Sequence, residues 1–189
     1  MGLAGCLWLS ACADKKAAFH SVDITGAAYA QDFSLPDADG KTRTIKDFAG
    51  KVVVVFFGFT QCPDVCPTTL AEVSAVKKAL GADADKLQAV FITIDPERDS
   101  AAVLKSYVAN FDSSFVALRA DTPEALAAVA KDFKIYYKKS EGKSANAYSM
   151  DHTAASYVFD AKGRVRLFTR YGSGVEALTG DVQQLLAGK

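Results

Sequence analysis

The sequence predicts an α/β domain, a mixed β-sheet with helices on both faces and a hairpin at its N-terminal end. The first indication is residues 52–57, an unbroken run of valine and phenylalanine typical of a central strand covered on both sides. The second is the alternation of such strands with amphipathic helical segments, as in βαβ units. The third is a hairpin pattern near the C-terminus, which adds antiparallel strands and makes the sheet mixed.

The composition is that of one globular domain with a tail. The chain has 189 residues, 50% of them hydrophobic, and its 22 Lys and Arg residues balance 22 Asp and Glu residues. Because no basic stripe is interleaved with aromatic residues, nucleic acid is not expected as a partner. No apolar run reaches the length of a membrane span. We assign residues 26–189 to the folded domain.

Residues 1–25 are predicted to be a lipoprotein signal followed by a tether. Residues 1–11 are apolar and small, and charge begins just after Cys12, as in an export signal. Residues 9–12, Leu-Ser-Ala-Cys, resemble a bacterial lipobox, whose cysteine is lipidated and anchors the protein to a membrane. Cys6 has a similar context, but the chain after it stays apolar, so Cys12 is preferred. The alternative is an apolar N-terminal segment with two inert thiols.

The elements follow in order along the chain. Residues 17–30, rich in alanine and small polar residues, are predicted to be flexible, and His20 within them is given no role. A hairpin is expected around residues 36–40, followed by the central strand, a helix that buries Leu70, Val73, Val76 and Leu80, and a strand within 87–95.

Two further helices are expected in the middle of the chain. The first runs from Ser100 to Asn110, with Val103, Leu104 and Tyr107 on its buried face; the second is capped by Thr122 and buries Leu126, Val129 and Phe133. A strand at 115–118 lies between them. An exposed loop at 138–147 and hairpin strands at 156–159 and 165–168 follow, and the last helix is marked by Val175, Leu178, Val182 and Leu185.

Two thiols follow the central strand. Gly58 ends that strand, Cys62 and Cys66 follow with three residues between them, and Pro67 suits the first turn of a helix. Ligands bind at the carboxyl ends of strands in open α/β sheets. A helix N-terminus lowers the pKa of a thiol, which favours both metal binding and disulfide exchange. The surrounding Gly, Gln, Asp and Pro residues predict an exposed loop rather than buried, inert cysteines.

A histidine is expected to join the thiols. If the strand at 156–159 runs opposite to the central strand, it begins where the other ends, and the loop with His152 faces Cys62 and Cys66. Two thiolates and an imidazole suit Cu(I) and, less exclusively, zinc. A structural zinc site needs a fourth ligand that we do not find, and a blue-copper site needs two histidines. The alternative is that His152 only caps a strand.

Three neighbours of these residues have alternative roles. Asp151 either orients the imidazole or is a turn residue. Met150 is expected to line the pocket rather than bind metal, and Asp64 to shape the turn between the cysteines.

At these residues the chain resembles the Sco/SenC family of thioredoxin-like copper proteins. The match consists of residues 58–67 (GFTQCPDVCP), 94–99 (IDPERD) and 148–152 (YSMDH), within a likeness that covers roughly the whole body. The resemblance implies a thioredoxin-like fold, an exported and membrane-anchored protein facing the bacterial periplasm, and one copper ion, Cu(I) or Cu(II) or both, held by Cys62, Cys66 and His152. It also implies that Cys62 and Cys66 form a redox-active pair.

The resemblance further implies a role in assembling the dinuclear copper (CuA) centre of cytochrome c oxidase. The protein would act as a copper donor to the copper-accepting subunit, as a thiol–disulfide reductant of that subunit's cysteines, or as both, and an exported thiol reductant would keep its own dithiol reduced. The alternative is a thioredoxin-like oxidoreductase or redox sensor without copper delivery. Against a thioredoxin-type or peroxiredoxin-type enzyme are the three-residue spacer, the lack of any proline after Pro123, and Phe59 where a threonine would stand.

Overall fold

The computed structural model describes residues 18–141 and 148–189 of the chain. In chain order, its strands are β1 (Val22–Asp23), β2 (Leu35–Pro36), β3 (Thr42–Arg43), β4 (Val52–Gly58), β5 (Leu87–Thr93), β6 (Val116–Leu118), β7 (Tyr137–Ser140), β8 (Ser149–His152), β9 (Ala155–Phe159) and β10 (Val165–Arg170). The α-helices are α1 (Val65–Ala79), α2 (Ala101–Ala109), α3 (Pro123–Asp132) and α4 (Val175–Leu186). Short 3₁₀ helices span Ile45–Phe48 and Gly81–Lys86.

The main sheet has six strands in the order β1-β10-β9-β4-β5-β6, and β2 pairs with β3 in the expected N-terminal hairpin. All seven residues of β4 are buried, as its apolar run predicts. Strand β5 runs parallel to β4 on one side, and β9 runs antiparallel on the other, with Val53 opposite Phe159 and Phe56 opposite Ser156. The mixed sheet is therefore confirmed, and the start of β9 lies beside the end of β4.

Helices cover both faces of the sheet, as predicted. Successive side chains of a strand point to opposite faces. Phe56 contacts Phe91 and shares a small cavity with residues of α1 and α4. The next residue, Phe57, packs against Phe133 at the end of α3, with 5.2 Å between ring centroids. The two phenylalanines thus anchor helices on opposite sides of the same strand.

Helix α2 begins and ends where the sequence predicts, but its buried face differs in part. The hydroxyl of Ser100 accepts a hydrogen bond from the backbone of Val103, the expected N-cap. The buried residues are Leu104 and Val108, while Val103 is 43% exposed. The prediction that Val103 faces the core is wrong, because Leu104 and Val108, four residues apart, already define the buried stripe.

The segment predicted to be a flexible tether in fact packs on the domain from residue 19 onward. Strand β1 pairs with Phe168 and Leu167 of β10, and Ala30 is fully buried. The backbone N–H groups of His20 and Ser21 donate to Asp181, which is itself fully buried. The assumption that small polar residues imply flexibility failed because a buried carboxylate on α4 binds this segment. The proposed signal and Cys12 lie outside the described residues.

The prediction of an exposed loop at 138–147 is wrong for residues 138–140. Residues up to Ser140 form β7, which pairs antiparallel with β8 so that Tyr137 lies opposite His152. Residues 142–147 lie outside the described part of the chain. The charged sequence of β7 hides its strand character because two of its four residues are exposed lysines. The β7–β8 hairpin is a two-stranded sheet separate from the main one.

Candidate metal centre

The structure brings Cys62, Cys66 and His152 together at the carboxyl end of β4. One ligand atom from each residue lies within 4.8 Å of the other two. The sulfur of Cys66 is 3.7 Å from Nε2 of His152, although the two residues are 86 positions apart in sequence. The antiparallel pairing of β9 with β4 produces this meeting, as the sequence predicted.

The two cysteines differ in exposure. Cys62 lies in the loop before α1 and is partly exposed, whereas Cys66 belongs to the first turn of α1 and is fully buried. The expectation that both lie in an exposed loop is therefore wrong for Cys66. Its sulfur packs so closely on Gly58 that a Cβ there would lie 2.7 Å from it. A glycine at the end of β4 is what leaves room for this thiol.

The thiols also differ in acidity. The pKa of Cys62 falls to about 5, chiefly because the Cys66 thiol donates a hydrogen bond to its sulfur, with further help from backbone N–H groups and His152. One of these, the N–H of Cys66, lies 3.4 Å from the Cys62 sulfur. The pKa of Cys66 rises, because its proton is held by Cys62 and because it is buried. The metal-free reduced pair at neutral pH is therefore a thiolate at Cys62 and a thiol at Cys66.

His152 ends β8, and its ring is held on two sides. Its Nδ1 lies 3.1 Å from the carbonyl oxygen of Thr153. Because a carbonyl can only accept, Nδ1 donates to it, and Nε2 is the ring nitrogen that faces the thiols. The ring packs edge-to-face on Phe56 and Phe59, with centroids 6.0 and 5.9 Å away.

The neighbours of His152 have roles simpler than metal binding. The carbonyl of Thr153, and not the exposed carboxylate of Asp151, meets the imidazole. Asp151 lies within β8 opposite Lys138, so neither predicted role, orienting the imidazole or forming a turn, is confirmed. Met150 is buried in the core, as expected for a pocket wall. Asp64 occupies the N-cap position of α1 and lies 3.3 Å from the hydroxyl of Tyr171.

The loop between β5 and α2 supports the site, a role that the sequence pattern does not predict. The buried carboxylate of Asp99 accepts hydrogen bonds from the hydroxyl and N–H of Thr60 and from the hydroxyl of Thr93. Burial is the main cause that raises the pKa of Asp99. Arg98 of the same loop donates to Gln61, next to Cys62. The signal for these roles is the run IDPERD at 94–99, which carries the family resemblance but does not by itself predict these hydrogen bonds.

The donor set matches soft-metal chemistry. Two sulfurs and an imidazole suit copper, and within the described residues they form the one group of three or more such side chains close enough to hold an ion. Both cysteines are free thiols in this structure and close enough in sequence to pair when oxidised. Fold and site thus define a thioredoxin-like domain with a candidate metal centre built from two thiols and one imidazole.

Comparison with known proteins assigns the family. The SCO1/SenC family model matches residues 22–187. The Mus musculus protein SCO2 homolog, mitochondrial, is 37% identical over 173 residues, covering 88% of this chain and 66% of its own length. The chain belongs to the SCO1/SenC family. It spans about 59–66% of the length of such curated relatives.

Solved structures give the same answer. A copper-bound structure of Bradyrhizobium japonicum ScoI is 42% identical, with a TM-score of 0.73, and the match covers 82% of this chain and 97% of that one. A SCO1/SenC family lipoprotein from Bacillus anthracis is 27% identical, with a TM-score of 0.69 over 82% of this chain and 92% of that one. Within residues 18–141 and 148–189, every helix is too short or too polar to traverse a bilayer.

Proposed function

We propose that this protein binds one copper ion through Cys62, Cys66 and His152 and serves assembly of the CuA centre of cytochrome c oxidase. The observation that carries the proposal is the convergence of these three side chains within 4.8 Å from two distant parts of the chain. Membership of the SCO1/SenC family and the copper-bound relative support it. Soft ligation by three groups, two of them partly exposed, suits an ion that must be passed on.

Transfer follows from the unequal exposure of the thiols. A thiolate of the copper-accepting subunit would approach the copper from the side of Cys62, the more exposed of the two cysteines. Client thiolates could then displace the three ligands from the copper one at a time. A disulfide between Cys62 and Cys66 removes two of the three ligands, so the redox state of the pair controls copper loading. An exported thiol reductant is therefore required to keep the pair reduced.

The same pair can reduce a disulfide of the client, and the lowered pKa of Cys62 favours this second activity. The Cys62 thiolate attacks the client disulfide, forms a mixed disulfide and releases one client thiolate. Cys66, after losing its proton, attacks the sulfur of Cys62 and releases the second client thiol. The client gains two electrons, and the protein retains a Cys62–Cys66 disulfide.

The proposed location is the outer side of a bacterial membrane, with a lipid on Cys12 as the anchor. The lipobox-like residues 9–12 and the lipoprotein from Bacillus anthracis support this assignment. Because His20 and β1 already pack on the domain, the residues between Cys12 and His20 would form the link to the membrane.

Anaerobic copper titration tests the proposal. The full chain is used with Cys6→Ser and Cys12→Ser, so that Cys62 and Cys66 are its only thiols. We expect one tightly bound copper per reduced chain, lost or weakened at least tenfold in Cys62→Ala, Cys66→Ala and His152→Ala. His20→Ala removes the other histidine of the chain, which is exposed, and should bind copper normally.

Disulfide formation separates the two roles. His152→Ala should still form the Cys62–Cys66 disulfide while binding copper weakly. Absence of tight copper binding in the reduced parent chain would refute the copper role and leave a thiol–disulfide oxidoreductase.

A further inference from the structure

The hairpin that carries His152 lacks the support of the main sheet. Strands β7 and β8 pair only with each other in the part of the chain that is described. A two-stranded hairpin is marginally stable by itself in water. Contacts outside the hairpin must therefore hold the imidazole at its distance from the thiols.

Arg98 supplies such contacts to both sides of the site. Its Nη1 donates to the backbone carbonyl of Tyr148, immediately before β8, at 2.8 Å, and to the side chain of Gln61, immediately before Cys62, at 3.1 Å. Its Nε donates to the carboxylate of Asp95. Nη2 is buried without a hydrogen-bond partner among the described residues, so the guanidinium is fixed through Nε and Nη1. One side chain thus joins three loops that surround the site.

The Tyr148 side chain contacts both Arg98 and Asp95. Its ring centroid is 3.6 Å from the guanidinium carbon of Arg98, a distance at which cation–π attraction is strong. Its hydroxyl donates to Asp95 at 2.7 Å, so arginine and tyrosine share one carboxylate. The Arg98 side chain is only 15% exposed, and that of Asp95 only 4%. Hydrogen bonds and ion pairs are stronger in such a desolvated setting than at the surface.

We infer that Arg98 is a positioning residue that fastens the His152 hairpin to the loop carrying Cys62. Lysine cannot replace it, because a single ammonium cannot reproduce the flat, forked donor geometry on Asp95, Tyr148 and Gln61 together. The expected effect of Arg98 on copper binding rests on the proposed function. Its effect on the hairpin is independent of any metal.

The metal-free readout is amide hydrogen exchange of the reduced full chain, followed by mass spectrometry. In Arg98→Lys, we expect exchange at residues 149–152 to become at least several-fold faster while β4 and β5 keep their protection. Arg119→Lys is the matched control, because Arg119 also bonds this loop, through the carbonyl of Pro96, but does not take part in the contacts to Tyr148 and Gln61. Unchanged exchange at 149–152 in Arg98→Lys would overturn the inference.

The second readout is copper affinity in a double-mutant cycle. Arg98→Lys should weaken binding about tenfold, the usual range for a residue that orients a ligand. The same change in a His152→Ala background should weaken it no further, because the residue acts through the imidazole. An equal loss in both backgrounds would show general damage and refute the positioning role.

A milder variant keeps the test decisive if Arg98→Lys folds poorly. Tyr148→Leu removes the ring beneath the guanidinium and should speed exchange of the hairpin in the same way. If the parent chain binds no copper, the proposed function fails, while the exchange experiment still decides the role of Arg98.

Discussion

The two sulfurs of the candidate metal centre differ in exposure and acidity, and the sequence motif alone does not reveal this difference. Cys62 is partly exposed and acidic, whereas Cys66 is buried and retains its proton. The hydrogen bond between them creates the difference, since it stabilises the anion on one sulfur and the proton on the other. In the metal-free protein, the pair therefore has one reactive and one protected member.

This asymmetry predicts the pH profile of alkylation. In the reduced, metal-free protein, iodoacetamide should modify Cys62 with a midpoint near pH 5, the pKa given by its hydrogen bonds, and should leave Cys66 unmodified. Peptide mapping after short exposures at each pH measures it. Cys66→Ala removes the donor and should move the midpoint upward, while Cys66→Ser, which keeps a hydroxyl donor, should move it less. Equal labelling of both cysteines at pH 6 would contradict the prediction.

At the site, the sequence indicated the three candidate ligands but not the residues that support them. Cys62, Cys66 and His152 were recognisable because few side chains share their chemistry. The burial of Cys66 was missed because the polar residues around it describe the loop and not the helix turn it enters. Arg98 and Asp99 were missed because their tasks depend on contacts with residues 37 to 50 positions away in sequence, which no local pattern encodes.

Among the elements, the N-terminal segment shows how one side chain can extend a domain. Strand β1 is only two residues long, too short to be held by its own ladder. Asp181 of α4 fixes the residues before it by accepting from the N–H groups of His20 and Ser21 at 2.8 and 2.9 Å. The N–H of Ile24 donates to Arg166 beyond the strand. Contacts with α4 therefore hold the residues before β1 on the domain.

We predict that Asp181→Ala detaches this segment. Removing the carboxylate leaves the partly buried N–H groups of His20 and Ser21 without their acceptor, at a cost of at most about 1–3 kcal/mol, unless the segment moves into water. Hydrogen exchange at residues 20–24 should rise strongly, with protection in β4 unchanged. Gln183→Ala, an exposed position on the same helix, is the control and should leave exchange at 20–24 unaltered. Retained protection in Asp181→Ala would show that β1 is held by other contacts.

For the molecule as a whole, buried carboxylates determine how stability responds to acid. Burial raises the pKa of Asp160, but hydrogen bonds from Arg164 and Lys162 outweigh it, and the pKa lies below its ordinary value. Arg164 and Arg166 lie 2.7 and 3.4 Å from the same carboxylate oxygen. A carboxyl with a lowered pKa stabilises the fold above its unfolded pKa of about 3.9, and this contribution is lost as pH falls through the folded value.

Asp160→Asn should therefore cost stability at neutral pH and progressively less in acid. We expect a loss of about 1.5–3 kcal/mol at pH 7, because hydrogen bonds to a charged acceptor are removed. The difference from the parent chain should shrink between pH 4 and lower pH, as measured by urea unfolding at each pH. Asp83→Asn breaks an exposed ion pair with Lys86 and should change stability by less than about 1 kcal/mol. A pH-independent loss in Asp160→Asn would point to packing damage.

The overall architecture was predictable because its strands are short, apolar and separated by clear helix caps. Val52 to Gly58, Ser100 and Thr122 behave as local rules expect. The lysine-bearing β7 was not predictable, because an exposed hairpin strand has no apolar face to mark it. Strand β1 was not predictable either, because it has only two residues and the segment is held by Asp181 of α4, far away in sequence.

The order of strands in the main sheet has a consequence for how the protein matures. Strand β9 enters between β10 and β4, so His152 reaches the thiols only after the C-terminal third of the chain has been synthesised and has folded. Cys62 and Cys66, four positions apart, can meet as soon as α1 begins to form. On a newly made chain, an oxidant can therefore pair the two thiols before the third candidate ligand arrives.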